Sequence, residues 1–196
     1  MKALKIISSL CLLLCFTSCD SDDSDDSETT AADEQSIIGT WSMIEFEADS
    51  EITTDVAGQA LTIADVTSVG ENFDYTVVFT ENTYTVGGSY DIVTTGTGTG
   101  ILGEETIEDT QSITGIDETG TYTLDTEEGT ILFDGNLFDF EANGMEFSEF
   151  SEEQELNIAF DNSGNLVLTQ VVETIIEEQG LELSATVDAR VVFSSN

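Results

Sequence analysis

Apolar and polar residues alternate along several segments between residues 36 and 196. The segments 73–79, 156–160 and 181–193 each place their apolar residues on one face and polar residues on the other. Alternation with a period of two is typical of a β-strand that buries one face. The apolar faces are formed by Phe73, Tyr75, Val77 and Phe79, by Leu156, Ile158 and Phe160, and by Leu181, Leu183, Ala185, Val187, Ala189, Val191 and Phe193.

The same reasoning predicts ten strands that are separated by short turn segments such as 80–82, 126–129, 161–165 and 177–180. Regularly spaced strands joined by tight turns indicate an all-β fold. We predict an antiparallel meander that closes into a barrel of about 8–10 strands, with a β-sandwich as the alternative. The predicted strands are about 38–48, 73–80, 83–94, 105–114, 119–126, 129–134, 145–150, 154–161, 165–176 and 181–194.

Three segments fit this pattern less well. Residues 51–70 alternate weakly, and a short helix around Ala57 to Val66 is one interpretation. The low-complexity segment 94–100 (TTGTGTG) is predicted to be a mobile loop. The apolar residues of segment 171–176 also fit one helix face, but β-branched residues crowd this segment and favour a strand.

The N-terminus has the features of an export signal. Lys2 and Lys5 precede an apolar run, Ile6 to Phe16, that is shorter than the ~20 residues of a membrane-spanning helix. Cys11 and Cys15 follow leucines, whereas Cys19 follows Thr17 and Ser18, which are small enough to precede a cleavage site.

The segment FTSCD therefore resembles a bacterial lipoprotein lipobox, although Phe16 stands where leucine is more usual. The resemblance implies that residues 1–18 are a signal peptide and that Cys19 carries lipid, which anchors the protein in a membrane. The alternative is an ordinary cleaved signal. An acidic stretch follows, and we expect residues 19–35 to form a disordered tether.

The acidic stretch also resembles a surface-export tag of Gram-negative lipoproteins, which implies an outer-membrane protein exposed on the cell surface; the alternative is a plain spacer. Residues 36–196 have the length of one domain.

Residues 37–46 (IIGTWSMIEF) place Gly39 and Trp41 at the start of the first strand, in the G-x-W pattern of lipocalins. This motif and the later segments FTENTYTVGGSY and GTYTLDTEEGTILF resemble bacterial lipocalin-like lipoproteins. The resemblance implies a calycin-type barrel in which an arginine of the last strand packs across the tryptophan. Arg190 is the only cation after residue 18, and we expect it to pack on Trp41. The alternative is an ordinary surface arginine near Glu182 and Asp188.

The composition restricts the chemistry. The chain has 41 acidic residues, three cations and no histidine, and its formal charge is −38. Direct binding to nucleic acid is therefore excluded on electrostatic grounds. Without histidine, and with no lysine or free thiol expected in the mature protein, we predict no enzyme activity, no catalytic residues, no metal site and no cofactor. The loops 125–129 and 161–165 could offer oxygen ligands to calcium, but neither matches the spaced ligands and glycine of an EF-hand loop, and simple hairpin turns are the favoured interpretation.

Two functions remain. A barrel interior could hold a small hydrophobic ligand, with Phe73, Tyr75 and Phe79 as candidate lining residues that could equally be core. Alternatively, the chain is a structural or interaction protein of the cell envelope that serves glycan capture, adhesion or a capsule.

Overall fold

The computed structural model describes residues 30–56, 58–100, 103–135, 137, 141–142, 145–146, 153–178 and 181–196. Cys19, the predicted signal peptide and most of the predicted tether lie outside these residues. One short helix accompanies eleven strands. These elements are β1 (Thr30–Ala31), α1 (Glu34–Ile37), β2 (Gly39–Val56), β3 (Gln59–Phe79), β4 (Thr83–Gly100), β5 (Gly103–Asp125), β6 (Thr130–Asp134), β7 (Glu141–Ala142), β8 (Met145–Glu146), β9 (Glu153–Phe160), β10 (Leu166–Glu178) and β11 (Leu181–Ser195).

Eight of these strands form one antiparallel sheet that closes into a ring. The order around the ring is β2, β3, β4, β5, β6, β9, β10 and β11, and β11 returns to pair with β2. Every neighbouring pair in the ring joins strands that follow one another among the ring strands of the chain, except the closing β11–β2 pair. The prediction of an all-β antiparallel meander that closes on itself is therefore confirmed, and the strand number falls within the expected range.

The ring has two unequal halves because β6 and β9 are short. β6 pairs with β9 only over Thr130–Asp134, and β9 pairs with β10 only as far as Thr169. All eight strands surround the half that contains Gly39 and Phe79. Beyond it, the six long strands β10, β11, β2, β3, β4 and β5 continue as a sheet extension toward Val56 and Gly100.

Large aromatic side chains fill the eight-stranded half, which we call the aromatic half. Tyr84 meets Phe133 edge to face, with ring centroids 5.0 Å apart, and Tyr75 meets Tyr90 in the same way at 5.6 Å. Such pairs add to the large apolar area that aromatic residues bury. The alternation in segments 73–79 and 156–160 thus follows the buried face, as predicted.

Small side chains occupy the inward face of the sheet extension. Ala48, Ser68 and Thr94 follow one another across three paired strands and are all buried, and the Ser68 and Thr94 hydroxyls are 2.8 Å apart. Neighbouring inward positions are also small or β-branched and buried, namely Ser50, Ala64, Val66, Ala185 and Val187.

Two sequence predictions are wrong in this extension. Of the suggested helix around Ala57 to Val66, residues 59–66 belong to strand β3, and the segment 94–100 is the end of β4 rather than a loop. Gly96 explains the second error, because a Cβ at this position would collide with the Asp65 carbonyl oxygen and lie 2.6 Å from Val66 Cα. The glycine therefore allows close approach of β4 to β3.

Other strand boundaries also differ. The predicted strands 105–114 and 119–126 belong to one strand, β5, whose pairing with β4 shifts register between Gly88 and Tyr90. The gap between the two predicted strands is therefore a break that the chain does not make. Of the predicted strand 145–150, only the two residues of β8 are described, and they pair with β7 outside the ring.

Candidate functional site

Trp41 lies at the end of the aromatic half where β2 begins, which we call the closed end because Ile37 of α1 and Trp41 are buried there. Its side chain is buried, its Nε1 donates a hydrogen bond to the Ile37 carbonyl oxygen at 2.7 Å, and its ring lies 5.9 Å from that of Phe160. The short helix α1 is held by a capping box between Asp33 and Ser36, which positions Ile37 to accept this bond. Trp41 thus joins the entry helix to the first ring strand.

Gly39 begins that strand with a φ of +150°, a value that favours glycine. The G-x-W pair therefore has a local structural reason at this end of the ring.

Arg190 lies elsewhere. It pairs across the sheet with Glu47, whereas Trp41 pairs with Ser195, so several residues of β11 separate the two positions. The Arg190 guanidinium forms an ion pair with Glu45 and is partly exposed, and the neighbouring residue Val191 is the one that points inward. The expected packing of Arg190 on Trp41 is not what the structure describes, because Arg190 is on the outer face of the sheet.

Phe73, Tyr75 and Phe79 are core residues in the described structure. Phe73 stacks against Tyr90, and Phe79 packs edge to face on Tyr122. The Tyr75 hydroxyl donates a hydrogen bond to the Leu137 carbonyl oxygen at 2.7 Å. Burial raises the pKa of Tyr75 well above 10.0, so this phenol stays protonated as a donor. The hydrogen bond holds residue 137 against the core, and each of the three candidate lining residues packs on other aromatic side chains.

One concavity lies on the outer face of the sheet extension, and we call it the outer groove. It has a volume of about 580 Å³, within the range of ligand sites. Its lining combines hydroxyl groups, two carboxylates and one isoleucine, from Thr53, Thr54, Asp55, Ala60, Ile175, Glu182 and Ser184.

Cross-strand pairing positions the groove residues. Ile175 of β10 lies opposite Ser184 of β11, which in turn lies opposite Thr53 of β2. The Thr54 hydroxyl donates to the Glu182 carbonyl oxygen at 2.9 Å and connects β2 to β11 beside the groove. Ile175 borders the groove and remains 66% exposed.

A smaller concavity of about 210 Å³ lies between β5 and residue 137. It is lined by a register-shifted stretch of β5 and by Leu137, namely Ile113, Thr114, Gly115, Ile116, Asp117, Glu118 and Leu137.

The two acidic loops use their carboxylates to shape turns. Asp161 accepts hydrogen bonds from the backbone N–H groups of Ser163 and Asn165 at 2.8 and 2.9 Å, and from the Asn165 amide. The backbone and side chain of Asn165 hold the pKa of Asp161 below its usual value. Asp125 likewise accepts from the backbone of Glu127 and Glu128. These contacts support the hairpin-turn interpretation of both loops.

Within the described ranges, no three or more acidic, cysteine or histidine side chains cluster in a way that could hold a metal ion. The described residues also include no helix that is long and apolar enough to cross a membrane. Comparisons with protein-family models, with curated proteins and with solved structures gave no significant match.

The sequence predictions did not identify the outer groove. Val171 and Ile175 were considered as part of a helix face, but in strand β10 they point outward and are 59% and 66% exposed. Apolar residues at outward positions of a strand are a signal that could have been found from the alternation alone. The other groove residues come from β2, β3 and β11, and only the register brings them to Ile175.

Proposed function

We propose that this chain is a lipid-anchored, lipocalin-like protein of the outer bacterial surface that binds a macromolecular partner through the outer groove. The observation that supports binding most directly is the position of the groove relative to the proposed anchor. The described chain enters the ring at Thr30, which pairs with Phe160 beside the closed end. The groove lies at the opposite end, beyond Thr53.

The separation is large. From Gly39 to Thr53, strand β2 advances about 45 Å at roughly 3.3 Å per residue. A lipid on Cys19 would therefore hold the closed end toward the membrane and present the groove away from it. The acidic segment after Cys19 would act as a spacer.

The anchor and the exposure are tested separately. Metabolic labelling with a fatty-acid analogue should mark the natural protein and not a Cys19→Ser variant. An antibody should label intact cells without lysis. Labelling of the Cys19→Ser protein, or antibody signal only after lysis, would contradict this part of the proposal.

Binding is tested in the host cells by site-specific photo-crosslinking. A photoreactive amino acid at Ser184, in the groove, should give an adduct of higher mass. The same amino acid at Val78, which is exposed on the outer face near the closed end, is the control and should give none. No adduct from Ser184, or equal adducts from both positions, would refute binding at the groove.

A second candidate is a small hydrophobic ligand inside the ring. It is favoured by one observation: the Ser50 hydroxyl oxygen is buried on the inward face, and no hydrogen bond to it is found. A buried hydroxyl without a partner costs free energy that a ligand's polar atom could recover. Native mass spectrometry of protein from its own host should then show a bound mass that Ser50→Ala reduces. Detection of the protein without any bound small molecule would refute this candidate.

A further inference from the structure

We infer that the partner presents a positively charged, extended protein segment, which pairs with the exposed edge of β10 beside the outer groove. This inference rests on the proposed function and adds to it the chemistry of the partner. It is supported by the edge of β10, by the residue pattern on that strand and by the charge around the groove.

The first observation is the edge itself. β10 pairs with β11 along its whole length, but with β9 only from Leu166 to Thr169. Beyond Thr169 no described strand pairs with that side of β10, although the Gln170 side chain still accepts a hydrogen bond from Gln154 and donates one to the Glu155 carbonyl oxygen of β9. A strand edge leaves N–H and C=O groups that can pair with an added strand.

The second observation is the order of side chains on the outer face of β10. Val171, Glu173 and Ile175 follow one another on this face, and all three are exposed. Cross-strand neighbours on one face of a sheet interact most strongly when apolar residues oppose apolar ones and opposite charges meet. A strand added here is therefore matched best by a basic residue between two apolar residues.

The third observation is the charge around the groove. Asp55 and Glu182 line it, and Glu173, Glu51 and Asp65 lie on the adjacent outer row of the sheet. Arg190, the only described cation, is ion-paired with Glu45. The groove therefore lies in a negative field that attracts cations and repels anions.

The charge also disfavours a second copy of this chain as the occupant. Two β10 strands that paired antiparallel around their exposed segments would bring Glu173 opposite itself, and like charges directly opposite are destabilising. The formal charge of −38 adds a general repulsion between copies. A glycan or another uncharged partner would not use this field, so it is an alternative outcome of the experiment.

The test repeats the crosslinking from Ser184 in two charge variants of the full-length, anchored protein. The double variant Asp55→Asn and Glu182→Gln removes both groove carboxylates. The control is Glu81→Gln with Glu118→Gln, which removes the same charge from exposed residues at other places on the ring. We expect the groove variant to lower the adduct yield about fivefold to tenfold, since each weakened charge pair reduces affinity severalfold.

The outcomes are distinct. A loss in the groove variant alone, with the control variant unchanged, supports the inference. An equal loss in both variants shows attraction by net charge only and overturns it. An undiminished adduct in both variants indicates an uncharged partner and overturns it while the proposed function stands. No adduct from Ser184 in the natural protein refutes the proposed function as well.

A measurement on the purified protein checks the edge. An eight-residue peptide that carries leucine, lysine and leucine at every second position, with threonine between them, places lysine between two leucines on one face. It should bind with a fluorescence-anisotropy affinity that the groove variant lowers more than the control variant does. Ile175→Lys should lower it further, because it introduces a like charge beside the added strand. Equal affinities for all four proteins would overturn the inference. Circular dichroism confirms that each variant is folded.

Discussion

Replacing Asp188 with asparagine should stabilise the fold at low salt. Asp188 lies directly opposite Asp49 on the outer face, and both residues are exposed. The Thr67 hydroxyl donates to the Asp49 carboxylate at 2.7 Å, so Asp49 has a partner, and none of the hydrogen bonds found involves the Asp188 side chain. Removing the charge of Asp188 therefore relieves repulsion without breaking a known contact.

The size of the effect follows from the geometry. Directly opposed side chains have Cβ atoms about 5 Å apart, and two unit charges at that distance in water repel by roughly 0.8 kcal/mol. We therefore expect Asp188→Asn to raise the free energy of unfolding by about 0.5 kcal/mol at 0.01 M salt, and the melting temperature by about 1–2 °C. At 1 M salt the screening length falls to about 3 Å, so the gain should nearly vanish.

Thermal and urea unfolding, followed by circular dichroism at the two salt concentrations, measure this gain. The matched control is Glu81→Gln, which removes the same charge from the turn between β3 and β4. It should stabilise less, because Glu81 has no acidic residue opposite it in a strand pair. Stabilisation of equal size in both variants would refute the pairwise argument and assign the effect to net charge. An Asp188→Asn gain that persists at 1 M salt would refute the electrostatic argument altogether.

Three further predictions concern packing, the tryptophan and acid titration. Gly96→Ala should lower the free energy of unfolding in urea by about 1–3 kcal/mol, because the added Cβ meets the backbone of β3. Gly98→Ala should lower it less, because the atom nearest to that Cβ is the flexible end of Ile107. Equal losses of stability in the two variants would contradict this. Trp41→Phe should lower the free energy of unfolding by about 1–3 kcal/mol, because it leaves the Ile37 carbonyl without its donor. Arg190→Gln should change the free energy of unfolding by less than about 1 kcal/mol and leave Trp41 fluorescence unchanged. A fluorescence shift in Arg190→Gln would indicate that the two residues do pack on each other. The Ser112 hydroxyl and the Asn72 amide lower the pKa of Asp91, so carboxyl NMR should show Asp91 titrating below its usual pKa. The contribution of Asp91 to stability is present above its unfolded-state pKa and is lost as the pH falls through its folded-state pKa. Ser112→Ala should raise the folded-state pKa, and no change would contradict the assignment.

The sequence predicts the eight-stranded half of the ring better than the extension for a physical reason. In the aromatic half, large residues such as Tyr75 and Phe79 alternate with smaller or polar ones, so the sequence indicates which face is buried. In the extension, the buried positions hold Ala48, Ala64 and Ser68, whose small side chains carry little hydrophobic signal. Strands there are recognised from their partners, and those partners are known only from the structure.

The relation between Trp41 and Arg190 shows what closure of a ring does and does not determine. A closed meander must pair its first and last strands, and β2 and β11 do pair as the sequence predicts. Closure alone does not fix the register, which places Trp41 beside Ser195 and Arg190 beside Glu47. The face, in contrast, was available from alternation, since inward Val191 immediately follows Arg190 and neighbours on a strand point to opposite sides.

The same distinction applies to the proposed binding surface. Alternation places Val171, Glu173 and Ile175 on the outer face of one strand, so an apolar–acidic–apolar row is readable from sequence. That row becomes a site only because the register brings Ser184 and Thr53 beside Ile175, and because β9 ends its pairing with β10 at Thr169. Recognition in this protein would therefore depend on where strand pairing ends as much as on side chains: pairing of Glu155 with Val171 would remove the edge while every groove residue stayed in place.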